Sequence, residues 1–274
     1  MLTTILKLSP YFIEFGTLRI YWYAIAILTG AVVAYYLSRY FAQKDGHSGE
    51  VIENIFFVAF PSGLIGTRIW FVLSNLEQMN PWYRAFFLWE GGLAIHGGII
   101  FGGLATYYFI TKIQKKISFL QALDYITPNI LIAQAIGRWG NFFNQEVYGA
   151  CVPRTQLSFL PNFILDQMAG GGGIMCAATQ VAQPLFLYES LLNIVGFVLI
   201  TFILRKYWKK RPVGVLGSLY FVYYGIVRAL LEPLRNPMFI MEIAGLPTSL
   251  VTAILFVVFG AGLIGYLYLK PAKN

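Results

Sequence analysis

The chain reads as an all-α integral membrane protein of about seven transmembrane helices, with an extracytoplasmic loop or cap and an interfacial segment. Three observations carry that reading. Of 274 residues, 58% are hydrophobic and only 12% are charged, against roughly 45–50% and about 25% in a soluble domain; mean hydropathy is +0.65. The apolar residues gather in stretches close to the roughly 20 residues that a helix needs to cross a bilayer. The basic residues sit in short clusters between those stretches. A large soluble core is a poor alternative, because too few polar residues remain to coat it.

Taken in order, the stretches run over residues 21–41, 51–73, 93–113, 119–137, 184–204, 213–231 and 246–269. The third is rich in glycine and the fourth is interrupted by Pro128. The N-terminal "MLTTILKLSP" has no basic region before its apolar residues and no small-residue cleavage site after them. The first long stretch is therefore expected to be a retained span rather than a cleaved leader.

Orientation follows from Lys and Arg. Arg39 and Lys44 follow the first stretch, and Lys112, Lys115 and Lys116 the third. "RKYWKKR" at 205–211 follows the fifth, and Lys270 and Lys273 the last. With an odd number of spans these all fall on one side. The expectation is a multi-pass membrane protein with its N-terminus outside and its C-terminus cytoplasmic. The net charge of +8 then reflects contact with anionic lipid, and no nucleic-acid partner is expected.

The whole chain, 1–274, reads as a single membrane domain. Within it, residues 138–183 form an extracytoplasmic loop region, too polar and too rich in glycine to span, with "GGGG" at 170–173. The segment 75–90 holds "NPWYRAFFLWE", whose aromatic residues suit the headgroup level. Cys151 and Cys176 both lie in the long loop. A disulfide is permitted there, two free thiols are the alternative, and spacing does not choose between them.

Polar groups at membrane depth are costly, so they usually face a cavity or a partner. Here they are Arg68, His96, Arg138, Glu146, Glu189, Arg228 and Glu232. With the stated orientation they lie towards the outer helix ends, where His96, Arg138, Glu189 and Arg228 can meet in one cavity. Arg228, Glu232 and Arg235 are spaced to share one helix face. Two guanidinium groups beside a carboxylate suit a phosphate, which guanidinium binds through paired hydrogen bonds. Each group also has a plainer reading. Arg228–Glu232 alone is an ordinary helical ion pair, and His96 alone is a histidine satisfied by a carbonyl. Its glycine neighbours alone serve close helix packing, and Arg138 alone is a snorkelling arginine. All of these at one depth are harder to accept. The sequence holds two histidines, well separated, and no nucleotide loop or serine elbow, so no metal and no cofactor is expected.

The stretch "GRWGNFFNQEVYG" at 137–149 resembles the signature of the phosphatidylglycerol–prolipoprotein diacylglyceryl transferases. "WYAIAI" at 22–27, "WEGGLAIHGG" at 89–98, "QPLFLYES" at 183–190 and "RALLEPLRNP" at 228–237 follow that family's order and span nearly the whole chain. Gln145 stands where many members have glycine. The resemblance implies a seven-span inner-membrane enzyme with its site open to the outer leaflet and no cofactor. It implies transfer of a diacylglyceryl group from phosphatidylglycerol to the lipobox cysteine thiol of a prolipoprotein, with release of glycerol 1-phosphate. Tyr23 and His96 match the family's first-helix tyrosine and HGG histidine. Arg138, Asn141, Glu146 and Gly149 match its signature, and Arg228, Glu232 and Arg235 its second basic–acidic block.

The reaction so implied displaces a phosphate ester from the lipid glycerol. Arg138 and Arg228 are the expected stabilisers of the leaving phosphate. Asn141 and Asn144 offer neutral donors, and Glu146 and Glu232 are expected to hold the arginines. Glu189 and Gly149 complete the expected substrate-binding set, and Tyr23 is grouped with the catalytic residues. His96 is the expected base for the incoming thiol, since histidine changes charge near neutral pH; a dry site lined with arginines is the alternative means of lowering the thiol pKa. Two other functions compete. A transporter or flippase for an anionic phospholipid suits glycine-rich helices and embedded charge; no inverted repeat supports it. A structural scaffold leaves the embedded arginines unexplained.

Overall fold

The computed structural model describes residues 7–16, 18–76, 83, 86, 87, 92, 94–170, 176–240, 242, 243 and 245–270. By internal contacts the chain forms two compact units, one of residues 1–34 and 126–274, the other of residues 35–125.

In the first unit, strands β1 (Tyr11–Phe15) and β2 (Leu18–Tyr21) form an antiparallel hairpin. Gly16 makes the turn at φ 59, a conformation open to glycine without cost. The hairpin leads directly into α1 (Trp22–Lys44), which continues into the second unit.

The second unit continues with α2 (Gly49–Ser74) and α3 (Ile95–Tyr108). Ser48 caps α2, its side chain accepting from Glu50 N; a capping oxygen satisfies one of the amides that a helix start leaves unpaired. α2 and α3 pack through small residues. A Cβ on Gly97 would lie 2.0 Å from the Gly66 carbonyl oxygen, so the backbones approach as only glycine permits. A π-helical turn, Phe109–Gln114, extends α3. The helix α4 (Phe119–Asn144) then crosses back into the first unit. The expected aromatic interfacial segment lies largely outside the described residues; within it, Tyr83 and Phe86 are exposed.

Beyond α4 the first unit holds a small cap and then more long helices. The cap comprises β3 (Cys151–Pro153), α5 (Asn162–Met168) and β4 (Gln180–Ala182), with β3 and β4 antiparallel. It packs on Phe142, Tyr148, Met168, Val181 and Phe186, all nearly inaccessible. Buried Gln167 ties the cap to its surroundings. It accepts from Leu8 N at 2.9 Å and donates to the Leu8 and Phe142 carbonyls, each at 3.3 Å. Cys151 and Cys176 form a disulfide.

Next comes α6 (Leu185–Phe197), which passes through a π-helical stretch (Val198–Leu204) into α7 (Arg205–Tyr207). The helix α8 (Val215–Leu231) packs against α6, and α9 (Thr248–Leu269) against α8, with the short hairpin β5 (Glu242–Ile243) and β6 (Leu246–Pro247) before it. Some polar groups inside this unit are paired across helices. Thr127 donates to the Gly217 carbonyl at 3.1 Å, and Gln134 to the Tyr220 hydroxyl at 3.2 Å.

Among the described residues, five helical stretches are long and apolar enough to cross a membrane: Trp22–Lys44, Gly49–Ser74, Leu185–Tyr207, Val215–Leu234 and Thr248–Leu269. Their outward apolar side chains, such as Leu255 and Val258 on α9, are exposed, as lipid contact requires. The chain is a mostly helical, multi-pass membrane protein. The third and fourth expected stretches are helices too, α3 with its π turn and α4, but neither is among the five. α4 owes its lower hydropathy to buried Asp124, Thr127 and Asn129.

Candidate functional site

The stretch that carries the signature is the C-terminal turn of α4 and the turn beyond it. Arg138 and Asn141 share a helix face, and Arg138 Nη1 donates to Asn141 Oδ1 at 3.3 Å. Asn141 and Asn144 then donate to Glu146 Oε1 at 2.9 and 3.4 Å. The backbone on each side of Glu146 has positive φ, 55 at Gln145 and 58 at Val147. Such a value suits glycine at the first position, and for β-branched Val147 it is a true outlier. Strain of this kind persists only where its surroundings hold it, and it clusters at functional sites.

Three more elements close on this stretch. Glu189, 3% exposed on α6, accepts from Arg138 Nη2 at 2.6 Å through one oxygen and from Arg228 Nη1 at 3.3 Å through the other. Tyr224, one turn before Arg228 on α8, donates to Glu189 Oε1 at 3.3 Å. Glu232, also buried, pairs with Arg228 Nη2 at 3.5 Å and Arg235 Nη1 at 3.9 Å, and accepts from the Ser249 hydroxyl. Arg138, Asn141, Val147, Glu189, Arg228 and Arg235 line one pocket with about 10 Å³ of free volume, room for about one water.

One expectation about this face needs correcting. Arg228 and Glu232 pair four residues apart as expected, but Arg235 leaves their helix face, because α8 ends at Leu231, Glu232–Leu234 form a 3-10 turn and Arg235 is extended. Pro233 explains the ending, since a proline removes the amide the helix needs and clashes with the preceding turn. Arg235 is instead held by an isolated antiparallel bridge to Gly149. A Cβ on Gly149 would lie 2.7 Å from Gln183 Cβ and 2.8 Å from the Leu234 carbonyl oxygen, so this position excludes any side chain.

Arg235 is the least satisfied of the three cations. Its Nε is buried with no partner among the described residues. Burial, and then the like charge of Arg228, holds its pKa below the usual guanidinium range. The three guanidinium groups thus share Glu189 and Glu232, while the third carboxylate of the set, Glu146, is taken up by Asn141 and Asn144.

Tyr23 stands at the start of α1, beside the same stretch: a Cβ on Gly140 would lie 2.5 Å from its ring. An apolar cavity of about 250 Å³ adjoins, lined by Trp22 and Ile25 of α1, Ile132, Ile136 and Trp139 of α4, and Ile194 of α6. The first unit therefore brings together Tyr23, Arg138, Asn141, Asn144, Glu146, Gly149, Glu189, Arg228, Glu232 and Arg235. His96 belongs to the second unit, where it is exposed in the first turn of α3. Glu146 and Glu232 were expected to hold the arginines. Glu232 meets two of them, Glu146 is bound by the asparagines, and Glu189 joins Arg138 to Arg228. The sequence reading passed over Tyr224, although its place four residues before Arg228 was a usable signal. Among the described residues, no group of His, Cys, Asp and Glu is arranged to hold a metal ion.

The comparisons with known proteins agree with the motifs. The family model described as prolipoprotein diacylglyceryl transferase matches residues 10–266. A relative from Streptococcus pneumoniae, named phosphatidylglycerol–prolipoprotein diacylglyceryl transferase, is 38% identical over 266 residues, 97% of this chain and 96% of its own. A protein of the same name from another strain of that species is 40% identical over 230 residues, covering 84% and 83% of the two chains. The match runs nearly end to end and includes every block from Trp22 to Pro237, so the chain belongs to the prolipoprotein diacylglyceryl transferase family.

Proposed function

We propose that the chain performs the reaction for which its family is named, moving the diacylglyceryl group of phosphatidylglycerol to the cysteine thiol of a prolipoprotein, the first step of bacterial lipoprotein maturation. The thiol sulfur attacks the glycerol carbon that bears the phosphate. The carbon–oxygen bond breaks, glycerol 1-phosphate leaves, and a thioether forms. The observation that carries this reading is the convergence of cations: Arg138, Arg228 and Arg235 line one pocket, the first two joined by Glu189 and the third with its Nε unpaired, a donor set that suits one phosphodiester.

In this proposal Arg138 and Arg228 stabilise the phosphate as it gains charge, and Arg235 binds it in the ground state through its unused Nε. Asn141 and Asn144 are donors to the headgroup hydroxyls, and Glu146 fixes both. Glu189 and Glu232 fix the guanidinium planes. The apolar cavity beside α4 takes an acyl chain, Tyr23 flanks the headgroup, and His96 is the base that accepts the thiol proton. The free volume of the pocket is far smaller than a headgroup, so binding requires side chains to part.

The proposal extends to topology. Seven spans, with α3 and α4 included, put the basic ends of α1 and α7 on one side. That arrangement supports an inner-membrane protein with its N-terminus outside, its C-terminus cytoplasmic, and residues 138–183 as a cap over the outer leaflet.

Incubating the purified protein with labelled phosphatidylglycerol and a lipobox peptide tests the chemistry. A thioether-linked product supports the transferase. Movement of lipid across vesicles without product replaces it with the flippase.

A further inference from the structure

The cap contains a covalent tie that the chemistry above does not use. Residues 148–150 run between two neighbouring segments. On one side Gly149 N donates to the Gln183 carbonyl and Gln183 N to the Ala150 carbonyl, both at 3.0 Å. On the other, Ala150 N donates to the Leu234 carbonyl at 3.2 Å and Asn236 N to the Tyr148 carbonyl at 3.0 Å. Arg235 therefore owes its position to the strand that flanks it, and the next residue of that strand is Cys151.

Cys151 opens β3 opposite Ala182 of β4. Its disulfide to Cys176 closes the loop that contains α5. Both sulfur-bearing residues pack on the core formed by Phe142, Leu157, Met168 and Val181. The β3–β4 ladder has only three residue pairs, too few to be stable alone. The crosslink keeps the loop closed, and through the ladder it fixes the register of residues 148–150.

We propose that the Cys151–Cys176 disulfide makes transfer redox-dependent: closed, it holds Arg235 in the pocket; opened, it releases Arg235 and weakens binding of the phosphodiester. The inference rests on the transferase reading. Opening proceeds by thiol–disulfide exchange with a dithiol. The S–S bond breaks, Cys151 and Cys176 are released as thiols, and the dithiol closes to its own disulfide, having supplied two electrons and two protons.

The test compares kcat and KM for phosphatidylglycerol, at saturating lipobox peptide, in three samples: oxidised protein, dithiothreitol-treated protein, and Cys151→Ser/Cys176→Ser. The last two are expected to show KM raised by about tenfold, equivalent to about 1.4 kcal/mol, with kcat little changed. Dithiothreitol is expected to have no effect on the double variant. Adding Arg235→Gln to the double variant is expected to change KM less than it does in the oxidised protein, because both changes remove the same contact. Equal KM in all three samples overturns the inference, as does full additivity with Arg235→Gln. Loss of helical circular dichroism in the double variant also overturns it, since the tie would then hold the fold rather than Arg235. Failure of the oxidised protein to form any thioether is a different result, and it removes the transferase reading itself.

Discussion

Arg138 and Arg228 share one carboxylate. Glu189 receives Arg138 on one oxygen at 2.6 Å and Arg228 on the other at 3.3 Å, so two arginines from distant parts of the sequence stand as a pair. Guanidinium groups placed in advance cost no reorganisation when negative charge develops, which makes such sites effective in catalysis. Replacing Arg138 or Arg228 by Ala is therefore expected to lower kcat by about a hundredfold or more, corresponding to about 2.7–4 kcal/mol of lost stabilisation. Both variants are expected to remain in the membrane fraction. Transfer assays on purified variants check this, and wild-type turnover in either removes the phosphate clamp.

The shape of the cation matters as well as its charge. Arg138 divides its donors between Asn141 and Glu189, and Arg228 between Glu189 and Glu232. Lysine supplies a point charge and cannot serve two such partners while presenting a planar edge to phosphate. Arg138→Lys and Arg228→Lys are expected to recover only a small part of the activity lost in the Ala variants. Full recovery by Lys means that charge alone suffices.

Glu189→Gln tests the joint from the other side. The carboxylate is buried and serves two cations and the Tyr224 hydroxyl. Breaking a buried ion pair by removing one partner costs about 3–5 kcal/mol. The variant is expected to unfold at lower temperature and to lose most transfer activity, read by thermal unfolding in detergent and by product formation. Stability and turnover both at the wild-type level mean that the arginines are held by something else.

How much of this was legible in the sequence depends on the distance over which each feature is set. The long helices were legible because lipid demands long apolar runs, and 22–44, 49–74 and 248–269 lie close to the stretches expected there. Two features were missed that the sequence does encode. The aromatic-rich run "YFIEF" between Pro10 and Gly16 is a strand signal, and Pro233 marks the end of α8. The site residues could be named from their blocks. Their pairing could not, because Glu189 meets Arg138 and Arg228 only through the packing of α4, α6 and α8. Likewise the spacing of Cys151 and Cys176 left their bond open, while the fold brings their Cα atoms to 5.6 Å, within the usual span of a disulfide.

Gly149 is expected to behave as a positional residue. Alanine there would drive a methyl group against Gln183 Cβ and the Leu234 carbonyl, moving the strand that sets Arg235. Gly149→Ala is expected to raise KM for phosphatidylglycerol several-fold. Gly262 on α9 has no atom within 4 Å of the equivalent point, so Gly262→Ala is expected to match wild type. Equal kinetics in the two variants remove the role of close approach at Gly149.

His96 is tested through pH. His96→Gln removes the acceptor, and the rate then depends on thiol that has ionised by itself. A free cysteine thiol ionises with a pKa near 8.5, so the variant is expected to be slow at pH 7. Its rate should then rise about tenfold per pH unit until the thiol has ionised. The ratio of wild-type to variant rates should therefore shrink as pH rises. A variant as fast as wild type at pH 7 clears His96 of the role. The proton would then be lost because fixed cations lower the thiol pKa, and in that case the rate of Arg235→Gln, not of His96→Gln, should recover at high pH.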